Sequence, residues 1–179
     1  VYPIFRDRDF IWGTYVWNMF DFSSEIRDEG GTRYENCKGL VTYDRKIKKD
    51  AFYYYKAQWS QEPFVKIGES RFVNRERKDI TVTVYSNCRE VTLTVHGKSY
   101  TAQSHSGVFR FENIPLLPGE NEVTASSGEL CDRVIFRGVE KRDESYLYED
   151  QNPGINVKNW FIDAAEEEKM FPTGMFSIR

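Results

Sequence analysis

The feature that most constrains the fold is a pair of runs in which apolar and polar side chains alternate with a period of two. They occupy residues 80–85 and 91–95, with the sequences ITVTVY and VTLTV. Successive side chains of a β-strand point to opposite faces of the sheet, so this period places the apolar residues on one face. Each run therefore predicts a strand with one face buried in a core.

The same pattern continues through the middle of the chain, with turn residues at regular intervals. Gly97-Lys98 and Pro118-Gly119 suit tight turns, and Phe109 and Phe111 alternate with polar neighbours between them. About seven short strands spaced in this way predict an Ig-like antiparallel β-sandwich over residues 64–140.

Residues 1–63 follow a different pattern, which predicts an α/β unit. Residues 15–22 form a nearly continuous apolar run, typical of a strand buried on both faces of a parallel sheet. Residues 23–36 are polar and rich in glycine, so they predict a loop. A helix is predicted next, with one apolar face that we expect to pack in a core. That face contains Ala51, Phe52, Tyr55 and Trp59, at spacings of three and four.

Both ends of the chain indicate a piece of a longer protein. Residues 141–179 begin with charged side chains, contain an Asn152-Pro153-Gly154 turn and carry an acidic run at 166–168. We interpret them as a linker or the start of a further C-terminal domain. Val1 is neither an initiator methionine nor part of a signal sequence, so we expect further chain before it.

Charge and cysteine content argue against several classes of partner. The formal net charge of −3 argues against nucleic acid, because phosphate binding needs a basic surface. The apolar runs are shorter than the ~20 residues that span a bilayer, so no membrane partner is expected. Cys37, Cys88 and Cys131 are expected to be free thiols, with a Cys88–Cys131 disulfide as the alternative. His96 and His105 lack partners at ligand spacing, so no metal or cofactor is expected.

Four motifs in the first part of the chain carry a specific resemblance. They are residues 17–22 (WNMFDF), 28–31 (DEGG), 36–46 (NCKGLVTYDRK) and 49–53 (KDAFY). In this order they resemble the end of the catalytic domain of family 2 glycoside hydrolases. The members most resembled are β-galactosidases, and β-glucuronidases are close relatives. The sandwich resembles, less specifically, the Ig-like domain that follows the barrel in galactosidase-like members.

The resemblance implies that residues 10–22 are strand eight of a (β/α)₈ barrel and that residues 48–59 are helix eight. The expected fold is therefore a barrel remnant over residues 1–63, then the sandwich, then the C-terminal linker. In the family the two catalytic glutamates lie at the ends of strands four and seven, so no catalytic residue is expected in this chain. Of the carboxylates present, Asp21 is expected to be a buried structural acid.

The resemblance also implies three substrate-binding residues near the C-terminal end of the barrel strand. Trp17 matches a tryptophan that forms the floor of the sugar subsite, and a flat indole suits the apolar face of a sugar ring. Asn36 and Lys38 match an Asn-x-Lys motif that binds the substrate carboxylate in β-glucuronidases. The alternatives are a core role for Trp17 and a solvated loop lysine at 38, since acids such as Glu35 would weaken a positive site.

The function expected from this resemblance is part of a retaining glycoside hydrolase that acts on terminal β-D-galactosides. The chain would supply a wall of the sugar subsite and a scaffold, with carbohydrate as the partner. One alternative is a fragment of a β-glucuronidase or galacturonidase. Another is a non-catalytic carbohydrate-binding or spacer module, for which Tyr85 and Tyr100 are candidate outward-facing aromatics. Apolar surface that a lone barrel strand and helix leave uncovered predicts self-association of the isolated chain.

Overall fold

The computed structural model describes residues 2–24, 34–76 and 79–147. The predictions made for the loop motif at 28–31 and for residues 148–179 lie outside these ranges. Four short elements come first. They are helix α1 (Tyr2–Arg6), strand β1 (Phe22–Ser23), strand β2 (Glu35–Asn36) and helix α2 (Asp50–Trp59). The helix predicted over 48–59 is confirmed and begins two residues later than expected.

The following strands form a sandwich of two sheets. They are β3 (Val65–Ile67), β4 (Asn74–Glu76), β5 (Asp79–Ser86), β6 (Glu90–Val95), β7 (Lys98–Gln103), β8 (Val108–Pro115), β9 (Gly119–Ser127) and β10 (Leu130–Val139). The larger sheet has the order β4-β10-β9-β6-β7, and the smaller sheet has the order β3-β5-β8. Neighbouring strands pair antiparallel except β4 and β10, which run parallel.

The sandwich core forms because the predicted alternation places a row of apolar side chains from most of the longer strands between the sheets. Val84 from β5, Leu93 from β6, Phe109 from β8 and Phe136 from β10 are all at most 1% exposed. Burying a side chain of this size contributes about 1.5–3 kcal/mol, so these rows are the main source of stability of the sandwich.

The sequence pattern underestimates the number of strands, because the sandwich contains eight of them in the described part of the chain. Strands β3 and β4, which precede β5, have three residues each and are too short to show a repeating pattern.

Asp132 of β10 holds β3 in place. Its Oδ2 accepts a hydrogen bond from the Ile67 amide at 2.8 Å and lies 3.0 Å from Lys66 Nζ. This carboxylate therefore bridges the two sheets.

A buried asparagine fixes the turn between β8 and β9. Asn121 is fully buried, and its Nδ2 donates hydrogen bonds to the carbonyls of Leu117, Gly119 and Phe136. Its Oδ1 accepts from the Leu117 amide at 2.7 Å. A buried amide is stable only when its donors and acceptors are satisfied, and here the backbone satisfies them.

Helix α2 packs on the smaller sheet through the face that carries Tyr53 and Ala57. The ring centroids of Tyr53 and Phe64 are 6.4 Å apart. The backbone of Gly107, which has φ +70°, comes so close that a Cβ built there would lie 2.7 Å from the Cβ of Ala57. A larger residue at 107 would push the helix away, so glycine at this position allows the close packing.

The prediction of a buried strand over residues 15–22 is wrong for most of its length. Residues 11–19 belong to no strand, and Tyr15 is 90% exposed. Phe20 makes a parallel bridge to Val41, and β1 begins at Phe22. A parallel strand is buried on both faces only between paired strands and covering helices, and in the described residues only residues 18–22 of this run make backbone pairs. The barrel remnant therefore stays a prediction.

The apolar face of α2 is also more open than predicted. Phe52 and Tyr55 are half-buried and Trp59 is 52% exposed, because the helix docks on the sandwich by a different face. Together with Met19 and Leu40 these side chains line an open groove of about 490 Å³.

Two further expectations concern the whole described chain. The three cysteines are free thiols, as expected. Neither α-helix in the described ranges is long and apolar enough to cross a membrane.

Replacing Phe109 by Ala should lower the free energy of unfolding of the sandwich by about 3–5 kcal/mol, because it removes a fully buried ring from the core. Arg110→Ala is the matched control on the same strand, and we expect it to change the stability by less than about 0.5 kcal/mol, since residue 110 is exposed. Denaturant titrations followed by circular dichroism measure both. Equal effects of the two variants would contradict the assignment of the core.

The isolated chain should self-associate, because Trp12 and Tyr15 are 91% and 90% exposed and Tyr15 lines an apolar pocket together with Tyr55 and Trp59 of α2. Multi-angle light scattering should give a mass above that of a monomer. The double variant Trp12→Ser, Tyr15→Ser should shift it towards the monomer. A wild-type chain that is monomeric and binds no hydrophobic dye would contradict this prediction.

Candidate functional site

The candidate site is built on a short parallel ladder between residues 18–21 and 38–41. The amide of Asn18 donates to the carbonyl of Lys38 at 3.3 Å, and the amide of Leu40 donates back to the carbonyl of Asn18 at 3.0 Å. The ladder continues at Val41. Its amide donates to the carbonyl of Met19 at 3.0 Å, and its carbonyl accepts from the amide of Asp21 at 2.9 Å. These bonds place the NCKG segment directly beside the WNMF segment.

Trp17 lies at the start of this ladder with its ring open to solvent. The side chain is 72% exposed, so in the described chain it is not a core residue. Its ring meets the ring of Phe22 edge to face, with centroids 6.3 Å apart. The peptide bond that links it to Asn18 is cis. With 72% of the side chain exposed, the indole is accessible to a flat apolar surface.

Asn36 and Lys38 lie on the strand and loop that run beside Trp17. Asn36 pairs with Phe22 in the β1–β2 ladder, and Phe22 is the residue that Trp17 contacts. Asn36 is only 5% exposed, and its Oδ1 accepts a hydrogen bond from the Lys38 amide at 3.0 Å. Lys38 itself is exposed. The structure thus brings all three predicted residues into one patch, with Asn36 supporting the backbone of Lys38.

Asp21 is the buried acid beneath this patch. It is 2% exposed, and its Oδ1 accepts hydrogen bonds from the Gly39 amide at 2.8 Å and from Lys49 Nζ at 2.7 Å. The same ammonium donates to the carbonyl of Cys37 at 2.9 Å. The predicted burial and hydrogen bonding of Asp21 are confirmed, and its purely structural role stays a prediction. Removing one partner of a buried ion pair typically costs about 3–5 kcal/mol, so both side chains matter to this layer.

Glycine at position 39 makes the approach of the two segments possible. A Cβ built on Gly39 would lie 2.1 Å from the amide nitrogen of Asp21 and 2.2 Å from the carbonyl carbon of Phe20. Both neighbours are backbone atoms and cannot rotate away. Any larger residue would therefore separate the ladder at the point where Asp21 binds the loop.

One group of potential metal ligands lies beside the site. Asp21, Glu35 and Cys37 each offer a ligand atom, and these atoms lie within 4.8 Å of one another. Lys49 already balances the charge of Asp21, and one oxygen of that carboxylate is bonded to two donors. The cluster places a second carboxylate, that of Glu35, close to the loop that bears Lys38, and the expectation of no metal stays a prediction.

The sequence did not single out Lys49 or Gly39 as parts of the site. Both lie within the motifs quoted for the resemblance, but no spacing rule connects residue 21 with residue 49.

The alternative of a carbohydrate-binding module with an aromatic surface on the sandwich has little support, because Tyr85 and Tyr100 are both half-buried and Tyr100 packs against the sandwich core. Burial raises the pKa of the Tyr85 hydroxyl, which agrees with its partly enclosed position.

Comparison with known proteins relates the chain to large glycosidases. A family model described as a domain of unknown function, DUF4982, matches residues 77–130, within the sandwich. A β-glucuronidase of Bacteroides fragilis is 40% identical over 148 residues, which is 79% of this chain and 21% of that protein. The β-galactosidase BoGH2A of Bacteroides ovatus is 30% identical over 94 residues, which is 52% of this chain and 11% of that protein.

The fold is shared with solved structures of the same kind of enzyme. An FMN-binding β-glucuronidase from Faecalibacterium prausnitzii L2-6 superposes with a TM-score of 0.77 at 40% identity, over 82% of this chain and 23% of that one. The chain thus spans less than a quarter of the length of the relatives it matches. Its homologues are β-glucuronidases and β-galactosidases, and the similarity covers part of the chain.

Proposed function

We propose that this chain is the C-terminal part of a retaining family 2 glycoside hydrolase whose substrates are terminal β-glucuronides. It supplies the exposed wall of the sugar subsite and a scaffold, and no catalytic glutamate. The observation that carries this proposal is the patch in which Trp17 and Lys38 lie beside each other, joined by the bond from the Asn18 amide to the Lys38 carbonyl. Relatives named β-glucuronidase at 40% identity support it.

Trp17 provides the apolar half of sugar recognition. The C–H groups on one face of a pyranose ring form an apolar surface, and an indole offers a flat area large enough to cover it. The ring of Trp17 is exposed and meets the ring of Phe22 edge to face. This contact does not distinguish one hexose from another, so it serves any β-glycoside with an accessible ring face.

Lys38 provides the part that distinguishes a uronic acid from a neutral sugar. An ammonium group forms charge-assisted hydrogen bonds with a carboxylate, and these are about twice as strong as neutral ones. Asn36 is buried and holds the Lys38 amide, which limits the directions in which the lysine leaves the backbone. A glucuronide bound against Trp17 would then meet the lysine through its C6 carboxylate.

A galactoside substrate is the second candidate, and the position of Glu35 favours it. The ligand atoms of Glu35, Asp21 and Cys37 lie within 4.8 Å of one another, so a second carboxylate sits near the loop that carries Lys38. This negative charge weakens the attraction of the loop for an anionic substrate. The β-galactosidase among the relatives agrees with this reading.

Replacing Lys38 by Ala in the full-length protein separates the two candidates. We expect kcat/KM for a nitrophenyl β-glucuronide to fall about 10- to 100-fold, because a hydrogen bond to a charged group is worth roughly 1.5–3 kcal/mol. Hydrolysis of a nitrophenyl β-galactoside should change less than about twofold. Initial rates over a range of substrate concentrations measure both effects.

Two control variants sharpen this experiment. Lys46→Ala removes a solvent-exposed lysine of the same segment and should leave both activities unchanged. Trp17→Ala should lower both activities, because the indole contacts the ring that the two sugars share. A Lys38→Ala enzyme that loses galactoside hydrolysis as strongly as glucuronide hydrolysis would contradict the uronate role.

The isolated chain of 179 residues should show no turnover on nitrophenyl β-glycosides, because the proposal places both catalytic carboxylates outside it. Absorbance of released nitrophenol after rigorous purification measures this, with the full-length protein as the positive control. Hydrolysis that co-purifies with the isolated chain would overturn the proposal that it is the non-catalytic part.

A further inference from the structure

We infer that the buried Asp21–Lys49 pair is a positioning pair for substrate binding, which fixes the backbone of residues 37–39 so that Lys38 stands beside Trp17. The inference rests on the proposed function, since it assigns these two residues a role in the same sugar subsite. Neither side chain contacts the substrate in this proposal. Both act through the loop that carries Lys38.

Two hydrogen bonds tie the pair to the backbone on both sides of Lys38, and an ion pair joins the two side chains. Lys49 Nζ donates to the carbonyl of Cys37 at 2.9 Å, immediately before Lys38 in the chain. Asp21 Oδ1 accepts from the amide of Gly39 at 2.8 Å, immediately after it. The ion pair between them measures 2.7 Å and closes the set. The backbone of Lys38 is therefore clamped at both neighbouring peptide groups.

The pair also links the two segments that form the patch. Asp21 ends the WNMFD run that begins at Trp17, whereas Lys49 is the N-cap residue immediately before α2. The helix is in turn seated on the sandwich through Ala57 and Gly107. The loop that bears Lys38 is thus fastened to a rigid element, which is how a binding group on a loop is held within the narrow tolerance that recognition requires.

Burial makes these bonds stronger than ordinary surface contacts. The side chain of Asp21 is 3% exposed and that of Lys49 is 22% exposed, so water competes little for them. A surface pair such as Lys46–Asp44, whose side chains are 80% and 51% exposed, does not hold a backbone in this way. The buried pair is therefore the element best suited to set where Lys38 lies.

The test uses Lys49→Met in the full-length protein, with Lys66→Met as the matched control. Lys66 forms a comparable half-buried ion pair with Asp132 at 3.0 Å, but in the sandwich. We expect Lys49→Met to lower kcat/KM for the glucuronide about 10- to 100-fold, mainly through KM, because a displaced binding group loses its alignment. Lys66→Met, normalised to folded protein, should stay within twofold of the wild type.

A double-mutant cycle distinguishes positioning from general damage. If Lys49 acts through Lys38, the variant Lys38→Ala, Lys49→Met should be little worse than Lys38→Ala alone. Additive losses, or a Lys49→Met enzyme that stays within twofold of the wild type on the glucuronide, would overturn the inference. Asp21→Asn keeps an acceptor for the Gly39 amide and removes the charge, so it repeats the test if Lys49→Met folds poorly.

Hydrogen–deuterium exchange separates failure of this inference from failure of the proposed function. If the wild-type protein does not hydrolyse glucuronides, the proposed substrate is wrong. The exchange rates of the backbone amides of residues 36–41 still report on the positioning role. We expect faster exchange there in Lys49→Met and unchanged exchange in strands β5 and β6. Unchanged exchange of residues 36–41 would overturn the positioning role whatever the substrate is.

Discussion

The layer that precedes the sandwich depends on one carboxylate. Asp21 is almost fully buried, and a buried charge is tolerated only when it is paired and hydrogen-bonded. The Lys49 ammonium and the Gly39 amide meet that requirement. These bonds to Asp21 bring together the segment that contains Trp17, the loop that contains Lys38 and the start of α2. These contacts act together with the backbone hydrogen bonds of the ladder to hold residues 18–21 beside residues 38–41.

Regular repetition made the sandwich predictable, and isolated contacts made the rest unpredictable. The alternating runs that became β5 and β6 show their buried faces in the sequence itself, because period two has one structural meaning. The three-residue strands β3 and β4 have no period to detect, and the Asp132 contacts that hold β3 connect residues 65 positions apart. Asn121 likewise resembles an ordinary turn residue until its partners are known.

The sequence indicates which motifs form the candidate site but not how their residues are arranged in space. The resemblance predicts Trp17, Asn36 and Lys38 as site residues, and the structure places their backbones in one patch. The strand prediction for residues 15–22 was wrong because an apolar composition indicates only the surroundings that such a run usually has. In the described chain those neighbours are missing, so Tyr15 and Trp17 are exposed. Composition indicates the preferred environment, whereas exposure depends on what else is folded nearby.

The seating of α2 on the smaller sheet has a consequence for recombining such proteins. The helix lies before the sandwich in the chain but is fastened to it, through Ala57 against Gly107 and through the bond from Gln58 to the Ser106 carbonyl. A chimera joined at residue 63 would pair one parent's helix with another parent's β7–β8 loop and invite a clash at position 107. Moving the crossover upstream of residue 50 would take the helix and the β7–β8 loop on which it packs from the same parent.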